Sequence, residues 1–287
     1  MILLDGKIAR DVRTRALNAS FSTLGFVVRL AIVQVGDNPD STVYIEQKKK
    51  FALKIGVTVS HLKFPEDVSF ETLSREIQNL NIDSTIHGII VQLPLPKHLD
   101  KEKVIALIYP EKDVDGLTDE NQQLLAESHP RFVPATARGI LSLLDFYHIP
   151  LNGKKVVVLG RSRLVGMPTA LAMKSRGALV SVCHSQTLNT REVTLTSDIV
   201  IVAIGKPELI DVSYIKKDAV VVDVGINSAS GALEEEISKR RVVGDVNFES
   251  VVSIVSAISP VPGGVGPMTV LSLFENLLDA TKLSVSH

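Results

Sequence analysis

"VVVLGRSRLVGMPTALAM", residues 156–173, decides the fold. An unbroken apolar run ending at Gly160 predicts a strand covered on both faces, because a half-exposed strand would alternate apolar with polar. A turn containing Gly166 then opens a helix that stops at Gly177. Glycine at such a turn lets backbone approach a pyrophosphate, and the N-terminus of the following helix attracts negative charge. The pattern is Gly-Arg-Ser-x-x-Val-Gly-x-Pro, not Gly-x-Gly-x-x-Gly. On the residues alone, a dinucleotide site and a plain strand-to-helix turn both stand.

Further strands follow at 178–185, 197–205 and 219–226. In dinucleotide-binding folds the strand after the glycine turn ordinarily ends in an acid that binds the ribose 2′-hydroxyl of NAD. Here it ends in "CHSQT" (183–187), with no acid. Ser185 offers a hydroxyl, and His184 and Arg161 offer positive charge, a setting that suits a 2′-phosphate. NADP is therefore the expected cofactor. His184 reads equally as a strand-end histidine facing solvent.

Upstream, strands are expected at 27–36, 56–64 and 86–96, the last running into a proline loop. Helices are expected after the loop "DNPD" (37–40) and at 69–81 and 100–108. This alternation predicts an α/β domain with a mainly parallel sheet. A helix at 134–149 leads into the second series, and an amphipathic helix at 266–283 closes the chain. We expect two domains: a catalytic α/β domain of residues 1–140 plus 266–287, to which the last helix returns, and a Rossmann-like domain of residues 141–265.

Composition narrows the class. The chain has 287 residues, enough for two cores, and a net charge of −1, which suggests neither a nucleic-acid nor an acidic-membrane partner. The start, "MILLDGKIARDVR", lacks the basic and long apolar parts of a signal peptide, and the apolar runs are strand-length, so no membrane span is expected. Cys183 is the single cysteine and cannot form an internal disulfide, which fits a reducing, cytoplasmic setting. Its apolar run marks it as an inert buried thiol.

The stretch "TVYIEQKKK" (42–50) holds the most informative lysine. At about 100° per residue, Tyr44, Lys48, Phe51, Ala52 and Ile55 share one side of a helix, while Lys49 and Lys50 swing away. Asp40 or Ser41 can cap its start and Gly56 its end. A lysine within an apolar stripe has a lowered pKa and can act as a base. Tyr-x-x-x-Lys is also the active-site pair of the short-chain dehydrogenases, but in that family the cofactor glycines precede the pair, and here they follow it in another domain. The pair is expected to belong to a substrate site facing the cofactor across a cleft.

Eight stretches then converge: "YIEQK", "GIIVQLPLP", "PEKDVDGLT", "GRSRLVGMP", "CHSQT", "VVDVGIN", "GDVNF" and "SPVPGGVGPMT". In order and spacing they resemble the methylenetetrahydrofolate dehydrogenase/cyclohydrolases, over residues 5 to 281. The resemblance implies a homodimer, NADP-dependent oxidation of 5,10-methylenetetrahydrofolate to the 5,10-methenyl cation, and hydrolysis of that cation to 10-formyltetrahydrofolate. It implies that Lys48 is the catalytic lysine and Tyr44 the neighbour that packs on the substrate. Gln92 resembles the glutamine that tunes the lysine, and Asp115 the aspartate that anchors the pterin. Pro262 and Gly263 resemble a loop closing over the substrate. Gly160, Arg161, Ser162, Ser185 and Ile226 resemble NADP contacts, and no metal is called for.

The chain departs from its relatives at "PATA" (134–137), where many read Pro-Cys-Thr-Pro, and at Ser259, where threonine is common. The synthetase activity fused to some relatives is not expected here. Two other functions stand beside the first: a dehydrogenase without hydrolysis, and a silent NADP- or folate-binding protein. Without the resemblance, Gln92 reads as a strand-end cap and Asp115 as a turn acid.

Overall fold

The structure is a computed structural model that describes residues 1–229 and 241–285. In chain order it comprises β1 (Ile2–Leu3), α1 (Gly6–Ser22), β2 (Arg29–Val35), α2 (Pro39–Lys54), β3 (Thr58–Phe64), α3 (Phe70–Ile82) and β4 (Gly88–Val91). Then come α4 (Lys101–Ile105), α5 (Asp119–Ala126), α6 (Ala135–Phe146), β5 (Lys155–Leu159), α7 (Gly166–Ser175), β6 (Leu179–Cys183), α8 (Thr190–Thr196), β7 (Ile199–Val202) and β8 (Val220–Asp223). The hairpin β9 (Asn227–Ala229) and β10 (Arg241–Val243), α9 (Phe248–Val251), β11 (Ala257–Ile258) and α10 (Val265–Val285) complete the chain. Among the described residues no helix is long and apolar enough to cross a membrane.

The chain divides into two compact units, Met1–Arg10 with Thr136–Thr269, and Asp11–Ala135 with Val270–His287. The last helix thus supplies residues to the unit that holds α2, as expected for an α/β chain of this class. The first ten residues belong instead with the later-encoded unit, because β1 pairs parallel with β11. Asp5 makes the turn that follows β1, its carboxylate accepting the N–H groups of Lys7 (2.8 Å) and Ile8 (3.1 Å) at the start of α1.

The unit containing residues 136–269 is built on a six-stranded sheet in the order β1-β11-β8-β7-β5-β6, and every pairing in it is parallel. The chain runs from β5 outward to β6, then crosses to the other side of β5 for β7. The strand order therefore reverses between β5 and β7, which is where open α/β sheets bind ligands, outside the carboxyl ends of their strands. Val157, Val158, Val200, Ile201, Val221 and Val222 are fully buried, as the unbroken apolar runs require. Each such side chain contributes about 1.5–3 kcal/mol by leaving water.

The other unit carries a three-stranded parallel sheet, β3-β2-β4. Its core gathers Val33, Leu73, Ile77, Ile89 and Val104. Ser69 caps α3 as its sequence position suggests, its hydroxyl accepting the N–H of Thr72. The expected strand 86–96 shortens to β4, because Pro94 and Pro96 have no N–H to give a ladder. The cap of α2 is also corrected: Asn38, not Asp40 or Ser41, accepts the Ser41 N–H (3.0 Å), with Pro39 in the first turn. Gly56 ends that helix at φ +72°, and the Val57 N–H returns to the Ala52 carbonyl.

Candidate active site

Lys48 lies on α2 between the buried Ile45 and the buried Phe51 and Ala52. Gln92 follows the last residue of β4, and its N–H still bonds the Val33 carbonyl (2.8 Å), so the sheet fixes its backbone. The two side chains meet: Lys48 Nζ donates to Gln92 Oε1 at 2.8 Å. Gln92 Nε2 donates to the Leu93 carbonyl (2.9 Å), which leaves the amide oxygen turned to the lysine. Burial lowers the Lys48 pKa, and the negative charge of Asp115 opposes that; burial wins.

Asp115 sits between Val114 and Gly116, and burial pushes its carboxyl up, against the pull of Lys48. The charge of Asp113 pushes the same way, and no hydrogen-bond donor among the described residues contributes. The loop is held from several sides. Asp113 Oδ2 accepts the Thr118 N–H (2.7 Å) and Asn121 Nδ2 (2.9 Å). Asn276 on α10 donates to the carbonyls of Val114 (2.8 Å) and Val133 (2.9 Å). Gly116 has φ +72°, and a Cβ there would lie 3.1 Å from Pro134. Tyr44 stands one helical turn before Lys48 and is half-buried; burial, then the charge of Asp40, raises its pKa. Lys48, Gln92 and Asp115 thus form one electrostatically connected set. Its parts are an amine that loses its proton easily, a neutral acceptor that orients it, and a desolvated carboxylate with free acceptor capacity.

The other unit holds the remaining candidates. Gly160 follows β5 with φ +117°, and a Cβ there would lie 2.1 Å from the Ala203 carbonyl oxygen. A Cβ on Gly166 would lie 2.2 Å from the Gly160 oxygen. Both positions need glycine, and the turn brings bare backbone to the β5/β7 reversal point. The Ser162 hydroxyl accepts the N–H groups of Val165 and Gly166, both at 3.2 Å, which leaves its own hydrogen to donate.

Arg161 reaches the end of β6, with Nη2 donating to Gln186 Oε1 at 3.2 Å and Nη1 lying 3.4 Å from His184 Nε2. The Gln186 N–H meets the other ring nitrogen of His184 (3.2 Å). A neutral imidazole has one acceptor nitrogen, so these N–H groups are not all satisfied, and the cluster favours an anion. Ser185, between the two, is exposed. These features fit the phosphates of a dinucleotide.

Ile226 is exposed after β8, and no described contact joins it to residues 160–162. Pro262 and Gly263 lie in the turn after β11, where the Gly263 carbonyl accepts the Gly6 N–H (2.9 Å) and the Gly264 N–H returns to Pro260 (2.8 Å). Cys183 is buried, and burial raises its thiol pKa.

Sequence reasoning passed over Asp113, Asn121, Asp223, Asp245 and Asn276, which hold the loops around these groups. Acids inside the apolar runs "VVDVG" and "VVGDV" were the available signal.

Comparison with known proteins agrees with this layout. A family model described as tetrahydrofolate dehydrogenase/cyclohydrolase, catalytic domain, matches residues 4–115. A second, described as tetrahydrofolate dehydrogenase/cyclohydrolase, NAD(P)-binding domain, matches residues 134–285. The bifunctional protein FolD of Ligilactobacillus salivarius is 43% identical over 288 residues, covering 99% of this chain and 98% of its own. The crystal structure of bifunctional FolD from Campylobacter jejuni superposes with a TM-score of 0.93 at 38% identity, covering 99% of both chains. That of the Trypanosoma brucei enzyme, complexed with NADP and an inhibitor, gives 0.94 at 35% identity, covering 100% of this chain and 99% of that one.

Proposed function

The chain belongs to the tetrahydrofolate dehydrogenase/cyclohydrolase family, and from that premise we propose how its own residues divide the two reactions. It is a bifunctional enzyme of one-carbon metabolism. It oxidises 5,10-methylenetetrahydrofolate to the 5,10-methenyl cation with NADP+, and hydrolyses that cation to 10-formyltetrahydrofolate.

We assign folate chemistry to the unit of residues 11–135 with 270–287 and cofactor binding to the unit of residues 1–10 with 136–269. When bound, NADP+ supplies the hydride acceptor. Gly160, Arg161, Ser162 and Ser185 would hold its phosphates and Ile226 its apolar face. Arg161 and the donors around His184 support a 2′-phosphate, and so NADP over NAD.

Lys48, Gln92 and Asp115 carry the folate steps. Asp115 accepts two N–H groups of the aminopyrimidine edge, and its empty acceptor capacity supports that role. Tyr44 packs on the pterin from the same helix face, and Pro262 and Gly263 contribute the turn that covers the substrate. In hydrolysis, neutral Lys48 removes a proton from water as the water oxygen bonds to the methenyl carbon. Collapse then turns the adduct's C–OH into the formyl C=O and breaks the bond from that carbon to N5; the hydroxyl proton passes to N5, Lys48 returns the proton it took to solvent, and the formyl group stays on N10. A cationic substrate disfavours a second positive charge beside it, which lowers the lysine pKa further. Gln92 orients the amine without fixing its charge, whereas a carboxylate in its place would hold the lysine protonated.

The single observation that carries this reading is the 2.8 Å bond from a desolvated Lys48 to a neutral acceptor. It favours hydrolysis as well as oxidation. A cytoplasmic homodimer whose product feeds purine biosynthesis completes the proposal; the lone buried Cys183 supports a reducing compartment, and the dimer rests on the family.

One assay tests it. The purified protein receives 5,10-methylenetetrahydrofolate with NADP+ or NAD+, and reduced cofactor and the methenyl cation are followed separately. Reduced cofactor without methenyl build-up is expected, with NADP+ preferred. Methenyl accumulating and decaying at the uncatalysed rate would refute the hydrolytic role.

A further inference from the structure

Asp245 is fully buried, and its carboxylate accepts three hydrogen bonds. Its Oδ2 accepts the consecutive backbone N–H groups of Ile204 (2.7 Å) and Gly205 (2.8 Å), immediately after β7. Its Oδ1 accepts Asn227 Nδ2 (2.8 Å), the residue following Ile226. Two successive N–H groups closing on one oxygen, with Gly205 at φ +74°, make an anion-binding nest. Here the anion is the protein's own carboxylate.

A second buried carboxylate holds the first. Asp223, at the end of β8, accepts the N–H groups of Gly225 (2.9 Å), Asp245 (3.0 Å) and Val246 (2.9 Å). Its own N–H donates to the Ser259 hydroxyl (2.8 Å), at the root of the 260–264 turn. Glycines make room for both groups: a Cβ on Gly225 would lie 2.3 Å from the Asp245 carboxyl, and one on Gly244 would lie 1.8 Å from Asp223 Oδ2. The network ties together the loops after β7, β8 and β11, all on the carboxyl edge of one parallel sheet. Its first anchor, residues 204–205, adjoins Ala203, whose carbonyl packs against Gly160 at the β5/β7 reversal point.

We propose that Asp245 is a positioning residue for the NADP site: it fills the nest after β7 and so fixes the wall that faces the Gly160 turn and, through Asn227, the loop carrying Ile226. The inference rests on the cofactor reading above. It implies that the dinucleotide phosphates are left to the 160–166 turn, because the competing nest is filled from within.

The test uses Asp245→Asn and the milder Asn227→Ala in the full chain. Three quantities are measured: NADP+ binding by titration calorimetry, hydrogen exchange of the 203–206 backbone, and the KM values for NADP+ and for folate substrate. The asparagine presents one acceptor oxygen without charge, so the NADP+ Kd and KM should rise about tenfold. Exchange at 204 and 205 should quicken, while the folate KM stays within about twofold. Asn227→Ala should move NADP+ binding the same way by about threefold. It reads the role even where Asp245→Asn fails to fold. Quickened exchange with unchanged NADP+ affinity in the folded variants, or a loss spread equally over folate and NADP+, would overturn the positioning role alone. Wild-type protein that binds no NADP+ would overturn the cofactor reading and this inference with it.

Discussion

Lys48 Nζ donates to Gln92 Oε1 at 2.8 Å, and the Gln92 side-chain amide donates through Nε2 to the adjacent Leu93 carbonyl. The glutamine is therefore locked as an acceptor toward a lysine that burial pushes toward neutrality. Lys48→Met should lower hydrolysis of the methenyl cation by about 10²–10⁴-fold, the usual worth of a general base, with the fold kept. Gln92→Glu should also depress it, because the new carboxylate stabilises the ammonium, and should move the rise of rate with pH upward. Stopped-flow loss of methenyl absorbance across pH checks both. A Lys48→Met enzyme at wild-type rate would end the assignment.

Asp115 raises the Lys48 pKa, against the effect of burial, and is held in a loop pinned by Asp113 and Asn276. Asp115→Ala should raise the folate KM about tenfold or more, since a charge-assisted pairing is lost. Removal of the negative charge should also shift the pH midpoint of hydrolysis downward. Steady-state kinetics at several pH values separates the two effects, and an unchanged folate KM would count against the anchor role.

Burial pushes Asp223 from 3.8 up to about 6, against three backbone donors. The folded protein then binds this proton more tightly than the unfolded chain does. The stabilisation is complete below pH 3.8 and is lost as pH rises toward 6. About two units at 1.36 kcal/mol each make it about 3 kcal/mol. Lys48 runs the other way, because its lowered pKa makes stability grow with pH through the window that ends at 10.5. Urea unfolding at pH 4 and 6.5 should show a smaller fall for Asp223→Asn than for wild type. Equal falls would show that this carboxyl does not titrate in that window.

Arg161 spans from the glycine turn to His184 and Gln186. Arg161→Ala should weaken NADP+ binding about tenfold or more and leave NAD+ binding almost unchanged, because only the former carries a 2′-phosphate. Parallel titrations with the two nucleotides measure the ratio. A parallel loss for both would place Arg161 at the pyrophosphate instead.

The parts legible in the sequence were those with a local pattern. The β-branched runs at 156–159, 199–202 and 220–223 became central strands, and the periodic stretches around Lys48 and at 69–81 became helices. The Lys48–Gln92–Asp115 set was legible only through resemblance, since residues 44 and 67 positions away from Lys48 have no local code for contact. What escaped was short or non-local. A two-residue strand such as β1 has no period, and its partner lies at 257–258. Asn38 took the cap of α2 because the helix began at Pro39, inside what reads as a loop. Asp245 meets amides 40 and 41 residues away, so nothing local in the sequence marks its carboxylate as their acceptor.

The helix α10 places Asn276 under Val114 and Leu277 against Gly88, where a Cβ would come within 2.7 Å of it. Synthesis runs from the N-terminus, so this helix emerges from the ribosome after every other part of the unit it completes. The other unit has all its residues by 269. On a translating ribosome the sheet that follows residue 150 can close first, while the lysine-bearing sheet waits, its Asp115 loop unpinned. A chain released at residue 269 would hold every residue of the nucleotide-binding half but lack the helix that completes the folate half.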